Sequence, residues 1–439
     1  MEVNQNTLIT PVSQQERITI LDSLRGIAIL GILLMNIPGF GLPEPACYGD
    51  LSVLKPLSSL NFRTWLTIEM SVAGTQRALF SMLFGAGIIL FISRKEKTPE
   101  GLMPAEYFFR RQLWLLVFGL INAFVLLWFW DILFHYAIAG MILFAFRRLQ
   151  PKHLIIAAIV CLAFQTIRDN VLYYRDKKII ATGEMLAKKD TSLVKLNDEE
   201  KTKLAAMTAM KEKSTPEAKK KRMENSLKKV RGNYSDFYDY QSERSYRGEI
   251  SYTYDGLWDV MIFMFLGMAF FKNGLLLGQA SIKTYWLLFL LGIGGGMFLT
   301  WLHIKSQLQL NFNQYELTKQ VRFQLYEVNR CFRSIGILGL IMLLYKSGVF
   351  KWLFALLKPV GQMAFTNYLM QSLLVGLYFY GIGFGMFGKL QIHQLYYVVA
   401  ATWALEIVWS HMWLRFFRFG PLEWCWRSLT YWKAQPMKR

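Results

Sequence analysis

The sequence predicts an all-α polytopic membrane protein, with about ten transmembrane helices and one helical insert outside the membrane. Hydrophobic residues make up 54% and aromatic residues 15% of the 439-residue chain. Apolar windows long enough to cross a bilayer recur on both sides of a single long hydrophilic section. The windows are residues 20–37, 76–92, 112–130, 131–146, 153–168, 257–272, 284–303, 332–349, 363–383 and 395–414.

The placement of basic residues predicts how these helices are oriented. The formal net charge is +20, and outside the hydrophilic section Lys and Arg gather in every second connection and after the last window. By the positive-inside rule, both termini are then cytoplasmic. The basic residues are explained by topology, so we expect the lipid bilayer and no nucleic acid as a partner. The basic connections are residues 94–111, 147–152, 272–283 and 346–358, with the end of the chain after residue 414.

This topology divides the chain into four parts. Membrane helices 1–5 occupy residues 1–168, the charged extracytoplasmic insert 169–256, membrane helices 6–10 residues 257–414, and a cytoplasmic amphipathic tail 415–439.

The insert itself predicts a solvated helical hairpin, because its charges alternate in sign. Asn197 is expected to cap the first helix, and either Ser214 or Thr215 the second, where Pro216 occupies the first turn. An aromatic stretch at 234–254 follows. It either lies on the membrane surface, covers the outer opening, or stacks on glycans.

The first window, from Arg17 to Asn36, carries polar groups at both of its ends. An ionisable residue inside a span costs roughly 2.5–3.5 kcal/mol on translocon scales, so it tends to face a bundle interior or a water-filled cavity. Asp22 and Arg25 are three residues apart and can neutralise each other. Asn36 lies about three turns further along. The helix is expected to stop there, before Pro38.

Further polar residues interrupt the second and fourth windows. Gln76 and Arg77, in the second window, mark either an interfacial elbow or a cavity-facing group.

Trp130 and Asp131 separate windows three and four. Asp131 and His135 lie one turn apart on the helix that follows, with Tyr136 beside them. Either the carboxylate fixes the tautomer of the imidazole, as a general base requires, or Asp131 caps the helix and His135 is an interior histidine.

The later part of the chain offers a polar stripe and a charged loop. Thr366, Asn367 and Gln371 lie within one helical turn, where they either join helices or face a cavity. The charges of the loop 304–330, from Arg322 to Arg330, form either a solvated rim or part of a polar cavity.

The four cysteines show no metal-ligand spacing, so no metal site is predicted. Cys47 and Cys331 both fall near the outer face in this topology. They are either paired in a disulfide or unpaired.

Four blocks of sequence carry a resemblance to a known family. They are LDSLRGIAILGILLMN, RALFSMLFGAG, WDILFHYAIAGMILF, and GQMAFTNYLMQS followed by GPLEWCWR. In order and content they resemble the bacterial YeiB-like family, known as domain of unknown function 418. That family is similar to transmembrane acyltransferases such as heparan-alpha-glucosaminide N-acetyltransferase.

The resemblance implies a multi-pass protein of the bacterial inner membrane that takes acyl-CoA (acetyl-CoA) as donor, with no permanently bound cofactor. The acceptor would be a glycan or a lipid. Asp22, Arg25 and Gly26 would belong to the cofactor-facing cytoplasmic end, and Asn36 to the reaction centre. The acyltransferase relative has a His in the loop after that Asn, where this chain has Cys47 and Glu44.

The main functional hypothesis is therefore an acyltransferase. In it His135, oriented by Asp131, is the general base, and Asn36 polarises the thioester carbonyl. The alternatives are a transporter or flippase-like protein that uses the same polar cavity, and an envelope-assembly role for the insert. Residues expected to bind substrate or cofactor are Asp22, Arg25, Gly26, Gln76, Arg77, Tyr136, Thr366, Asn367 and Gln371.

Overall fold

The computed structural model describes residues 18–54, 56–95, 103–189 and 196–439, and this part of the chain is helical, with a single β-bridge and no strand. Arg17 and residues 96–102, which belong to the basic connection 94–111, lie outside the described residues. In chain order the α-helices are α1 (Thr19–Gly41), α2 (Ser59–Ser71), α3 (Thr75–Lys95), α4 (Met103–Phe124), α5 (Leu133–Leu143), α6 (Pro151–Ala187), α7 (Asp198–Lys213), α8 (Pro216–Arg231), α9 (Tyr234–Tyr246), α10 (Thr253–Lys272), α11 (Ile282–Gln309), α12 (Gln314–Gln320), α13 (Tyr326–Ser347), α14 (Lys351–Gln362), α15 (Ala364–Phe379), α16 (Ile392–Phe416) and α17 (Pro421–Tyr431).

The helices are those of a membrane protein. Among the described residues, 6 helical segments are long and apolar enough to cross a bilayer, and Leu133–Phe146 is a shorter apolar helix. Each of the ten predicted windows overlaps a helix. The all-α class is confirmed, while the count of about ten spans stays a prediction. The six segments are Thr19–Gly41, Ser59–Ser93, Pro151–Ala187, Thr253–Lys272, Ile282–Gln309 and Tyr326–Ser347.

The predicted end of the first helix is wrong. Helix α1 continues through Pro38 to Gly41. Glycine at positions 39 and 41 allows this end of the helix to pack, because aromatic rings occupy the space that side chains would need. A Cβ on Gly39 would lie 2.6 Å from the ring of Trp130, and one on Gly41 would lie 2.9 Å from the ring of Phe379.

The predicted boundary between windows three and four is also wrong. Helix α4 ends at Phe124, and an irregular connector, residues 125–132, precedes α5. Leu127 in this connector has a φ of 57°, which breaks the helix although the segment is as apolar as a span. Most of the connector from Leu127 to Ile132 is buried, so its apolar sequence resembles that of a transmembrane helix.

The insert begins without a break, because α6 runs from the membrane-type sequence through residue 169 to Ala187. Asn197 caps α7 in a capping box with Glu200, and Thr215 caps α8, so these two caps are confirmed. The insert is held to the loop that follows α1 by two ion pairs. These are Arg244–Glu44 at 3.2 Å and Lys219–Asp50 at 2.7 Å.

Helices α1 and α14 approach each other through glycine, and this contact fixes the start of α1. A Cβ on Gly361 would lie 1.7 Å from the carbonyl oxygen of Asp22, and a Cβ on Gly26 would lie 2.2 Å from that of Leu357. Gly26, expected at a cofactor site, is thus placed at a helix–helix contact. Such contacts are typical of membrane helices.

We expect Gly361→Ala to destabilise the protein by about 1–3 kcal/mol or more, since the backbone of α1 must move to admit the methyl group. The measurement is a thermal melt of the purified protein in detergent. Gly294→Ala is the matched control, because nothing lies within 4 Å of a Cβ at that helical position. Equal melting temperatures for the two variants would contradict the prediction.

A buried ion cluster joins α3, α10 and α13. Asp259 of α10 forms ion pairs with Arg77 of α3 and Arg330 of α13, and Arg330 also pairs with Glu327 at 2.8 Å. Arg330 and Glu327 are buried, whereas Arg322 is exposed. The two interpretations of this loop therefore apply to different residues. Arg322 lies at the solvated rim, and Arg330 belongs to a buried polar cluster.

Candidate functional site

Two cavities lie at opposite ends of α1. The first, of about 250 Å³, is lined by Asp22 and Arg25 and is called the Arg25 cavity. The second, of about 630 Å³, is lined by Asn36 and His135 and is called the His135 cavity. The polar residues predicted at the two ends of the first span therefore face two different cavities.

Arginine side chains dominate the charge of the Arg25 cavity. Arg25 pairs with Asp22 at 2.9 Å, and the other carboxylate oxygen of Asp22 accepts a hydrogen bond from Gln362 at 3.2 Å. Arg111 and Arg427 also line the cavity. Three guanidinium groups thus surround a space whose Asp22 carboxylate is already neutralised.

Arg111 is the guanidinium of this cavity that carries no ion pair or side-chain hydrogen bond within the described part of the chain. Its group stacks over the ring of Trp426 at 4.0 Å. The remaining carboxylate, Glu423, accepts hydrogen bonds from the backbone N–H groups of Phe365 and Thr366 at 2.8 and 3.0 Å. That carboxylate is therefore engaged with the start of α15, which leaves the cavity suited to an anion.

A thin partition separates the two cavities. Tyr368 lines the Arg25 cavity, and its hydroxyl donates to Oδ1 of Asp131, which lines the His135 cavity, at 3.2 Å. Tyr136 also lines the Arg25 cavity, where its hydroxyl lies 2.6 Å from that of Ser81. The hydrogen bond from Tyr368 to Asp131 therefore links the walls of the two cavities.

His135 is the central titratable group of the second cavity. The residue is 9% exposed, and its Nε2 has no hydrogen-bond partner among the described residues. Its Nδ1 lies 3.3 Å from Oε2 of Glu249, which belongs to the end of the insert. The imidazole thus has one nitrogen beside a carboxylate and the other without a protein partner.

The structure differs from the expectation that the carboxylate of Asp131 orients His135, because Asp131 bonds the imidazole through its backbone. The Asp131 carboxylate accepts from Asn122 at 2.7 Å, from the backbone N–H of Phe134 at 3.0 Å, and from Tyr368. It therefore caps the start of α5 and holds the partition, which is the structural alternative left open above. Glu249, far away in sequence, takes the place beside the imidazole.

The other residues predicted around this centre have mixed placements. Asn36, Gln76 and Arg77 line the His135 cavity, and Oε1 of Gln76 has no hydrogen-bond partner in the described part of the chain. Arg77 is paired with Asp259. The Tyr136 side chain lines the Arg25 cavity instead.

The polar stripe of α15 joins helices and lines neither cavity. The hydroxyl of Thr366 donates to Glu423 at 2.6 Å. The amide of Asn367 donates to Ser410 at 3.2 Å, and the amide of Gln371 donates to Glu406 at 3.1 Å. These contacts match the helix-joining alternative.

Cys47 lies in the His135 cavity, in the loop that follows α1. Burial raises the pKa of this thiol to about 12, so little thiolate exists at neutral pH. All four cysteines are free, as in the unpaired alternative. Cys47 is accordingly a poor nucleophile and a poor substitute for a histidine base.

Sequence reasoning missed Arg111, Arg427, Glu249 and Tyr368 as site residues. Arg111 and Arg427 were explained by topology, and Tyr368 lies inside the polar stripe without being marked by it. Nothing local in the sequence distinguishes Glu249 from the other acids of the insert. Only the three-dimensional contact with His135 reveals it.

Comparisons with known proteins support the likeness to the YeiB-like family. The family model described as protein of unknown function (DUF418) matches residues 270–433. The uncharacterized protein YxaH of Bacillus subtilis is 29% identical over 98% of both chains. The uncharacterized protein YeiB of Escherichia coli is 29% identical over 96% of this chain and 98% of its own. No solved structure matches the chain.

Proposed function

We propose that this protein is a transmembrane acyltransferase of the YeiB-like DUF418 type. It would move an acyl group from cytosolic acyl-CoA in the Arg25 cavity to a glycan or lipid-linked acceptor in the His135 cavity. The observation that carries the proposal is the back-to-back arrangement of an arginine-lined cavity and a histidine-containing cavity, with Tyr368 and Asp131 between them.

The donor side of the proposal rests on charge and size. Guanidinium groups form strong, bidentate hydrogen bonds to phosphate, and Arg25, Arg111 and Arg427 surround one cavity. A space of about 250 Å³ is at the small end for a drug-sized ligand. The phosphates of acyl-CoA would therefore stay near the arginines, and only the narrow arm that carries the thioester would extend toward the His135 cavity.

The acceptor side rests on the geometry of His135. A general base needs an unprotonated nitrogen, and His135 lines the cavity with a buried Nε2 that has no hydrogen-bond partner among the described residues. Asn36 lines the same cavity, and its amide group is a suitable donor to a developing oxyanion. The Tyr368–Asp131 partition would open to let the thioester carbon reach this side.

The same proposal fixes the orientation in the membrane. With the donor in the cytosol, the Arg25 cavity would face the cytoplasm and both termini would be cytoplasmic. The insert would then lie on the extracytoplasmic side of the inner membrane. This agrees with the distribution of basic residues.

The test is to reconstitute the protein in proteoliposomes and follow release of the CoA thiol from acetyl-CoA in the presence of glycan or lipid-linked acceptors. A ligand that binds the native state raises the melting temperature, so acetyl-CoA alone is expected to stabilise the protein. Absence of both effects would overturn the proposal. Stabilisation by a lipid or solute and not by acetyl-CoA would favour transport instead.

Arg111→Gln is expected to weaken acetyl-CoA binding about 10–100-fold, since a hydrogen bond to a charged group contributes about 1.5–3 kcal/mol. The measurement is the concentration dependence of the thermal shift. Arg110→Gln is the matched control, because Arg110 is adjacent in the chain but does not line the cavity. Equal affinity in the two variants would argue against a phosphate at Arg111.

A further inference from the structure

Glu249 lies at the end of the insert, on a helical face that is otherwise fully hydrogen-bonded. The buried polar residues of this face recur every fourth residue, at Gln241, Ser245 and Glu249. Gln241 donates to the carbonyl of Leu127 at 3.3 Å, and Ser245 to that of Ala123 at 2.7 Å. Glu249 is 1% exposed, and its Oε2 has no hydrogen bond with acceptable geometry in the described part of the chain.

The backbone around Glu249 is irregular in a way that often marks function. Residues Arg247–Ser251 form a π-helical turn between α9 and α10. Such turns are rare and frequently occur at functional sites. A Cβ on Gly248 would lie 2.8 Å from the carbonyl oxygen of Phe129, so the turn is packed tightly against the connector 125–132.

The turn directs Glu249 to His135. Oε2 of Glu249 lies 3.3 Å from Nδ1 of the imidazole. Gly256, one turn into α10, leaves room for the ring, because a Cβ there would lie 3.0 Å from Nε2. The result is a carboxylate 3.3 Å from Nδ1 and a buried Nε2 without a hydrogen-bond partner among the described residues. A carboxylate at Nδ1 favours the tautomer that carries its proton there and leaves the lone pair on Nε2.

Glu249 is not needed to attach the insert to the membrane helices. The pairs Arg244–Glu44 and Lys219–Asp50 hold the insert to the loop after α1, and Ser245 already bonds the insert to α4 at the carbonyl of Ala123. A buried carboxylate without a cation or a full set of hydrogen bonds is costly. Its presence at this position therefore calls for a role other than attachment.

We infer that Glu249 is a positioning residue that holds the Nδ1 side of His135, so that the insert completes the acceptor site. The acyl-transfer role rests on the proposed function, whereas the pairing of the two side chains does not. The heteroatom of the acceptor gives its proton to Nε2 as it bonds to the thioester carbon. The C–S bond then breaks, and the leaving thiolate takes the proton from Nε2, which restores the base.

The pair should respond to pH. Burial, followed by the nearby Asp131 carboxylate, raises the pKa of Glu249 above its ordinary range. Below this raised pKa the pair holds an extra proton, shared between Nδ1 and the carboxyl, and Nε2 carries its own proton. Loss of this proton at higher pH leaves Nδ1–H facing the carboxylate and a lone pair on Nε2. Two other charged groups act on the pair: Arg77 from α3 on His135, and Asp131 from the connector on Glu249.

The experiment is to modify the intact protein in detergent with diethyl pyrocarbonate and follow His135 by peptide mass spectrometry across pH. In the wild type we expect the modification rate to rise with pH from the neutral into the alkaline range. Glu249→Gln should remove most of this rise above the ordinary pKa of histidine, about 6.5. Glu249→Asp should keep a pH-dependent rise.

The matched control is Glu243→Gln, a replacement in the preceding helix α9 at a side chain that is 61% exposed and paired with Arg247. It should keep the wild-type profile. A Glu249→Gln protein that melts normally and shows the wild-type profile would overturn the inference. If Glu249→Gln does not fold, a Glu249→Asp profile that is flat would do the same. Because this readout needs no acyl donor, it can succeed even if acetyl-CoA proves not to be a substrate.

Discussion

Arg330→Met is expected to destabilise the protein by about 3–5 kcal/mol. Arg330 is fully buried and compensates two carboxylates, Asp259 of α10 and Glu327 of its own helix. Removing one partner from a buried ion pair leaves an uncompensated charge, which costs far more than losing a surface pair. The measurement is the free energy of unfolding, or the melting temperature, of the purified protein in detergent.

The same replacement at an exposed site separates this effect from the loss of any arginine. Arg322→Met, in the segment just before α13, should leave the melting temperature almost unchanged because Arg322 is exposed. Adding Glu327→Gln to Arg330→Met should recover part of the loss, since Glu327 is the carboxylate left without its cation while Asp259 keeps Arg77. Two arginine variants with the same melting temperature would refute the structural role of the cluster.

The fold class could be predicted because hydrophobic length is a direct physical requirement of a bilayer. The helix caps at Asn197 and Thr215 were predictable for a similar reason, since capping depends on local residue types. The end of α1 and the connector 125–132 were not, because tertiary packing decides both. The rings of Trp130 and Phe379 occupy the space beside Gly39 and Gly41. The connector is irregular, but because most of it is buried, its sequence is as apolar as that of a transmembrane helix.

The site residues that could be predicted are the polar and charged side chains that lie within apolar segments. Asp22, Arg25, Asn36 and His135 stand out for this reason, and all four line one of the two cavities. Glu249 does not stand out, because the insert is rich in acids and nothing local links it to α5. Arg111 was overlooked for a different reason. The positive-inside rule already explained its charge, so the sequence did not indicate a binding role for it.

His135→Ala is expected to lower acyl transfer by about 10²- to 10⁴-fold, the usual contribution of a positioned general base. Acetyl-CoA should still stabilise the variant, since the donor is expected in the Arg25 cavity on the other side of the Tyr368–Asp131 partition. The measurements are CoA release in proteoliposomes and the thermal shift with acetyl-CoA. Turnover equal to that of the wild type would end the assignment of His135 as the base.

A second histidine supplies the control. His393 lies at the start of α16, where its Nδ1 is 2.8 Å from Asn61, and it lines neither of the two cavities, so His393→Ala should leave transfer within a few-fold of the wild type. The double variant His135→Ala, Glu249→Gln then tests how the two side chains act. Residues that work as a unit are strongly non-additive, so the double variant should be no slower than His135→Ala alone. Fully multiplicative losses would instead mean that Glu249 contributes by a route that does not pass through the imidazole.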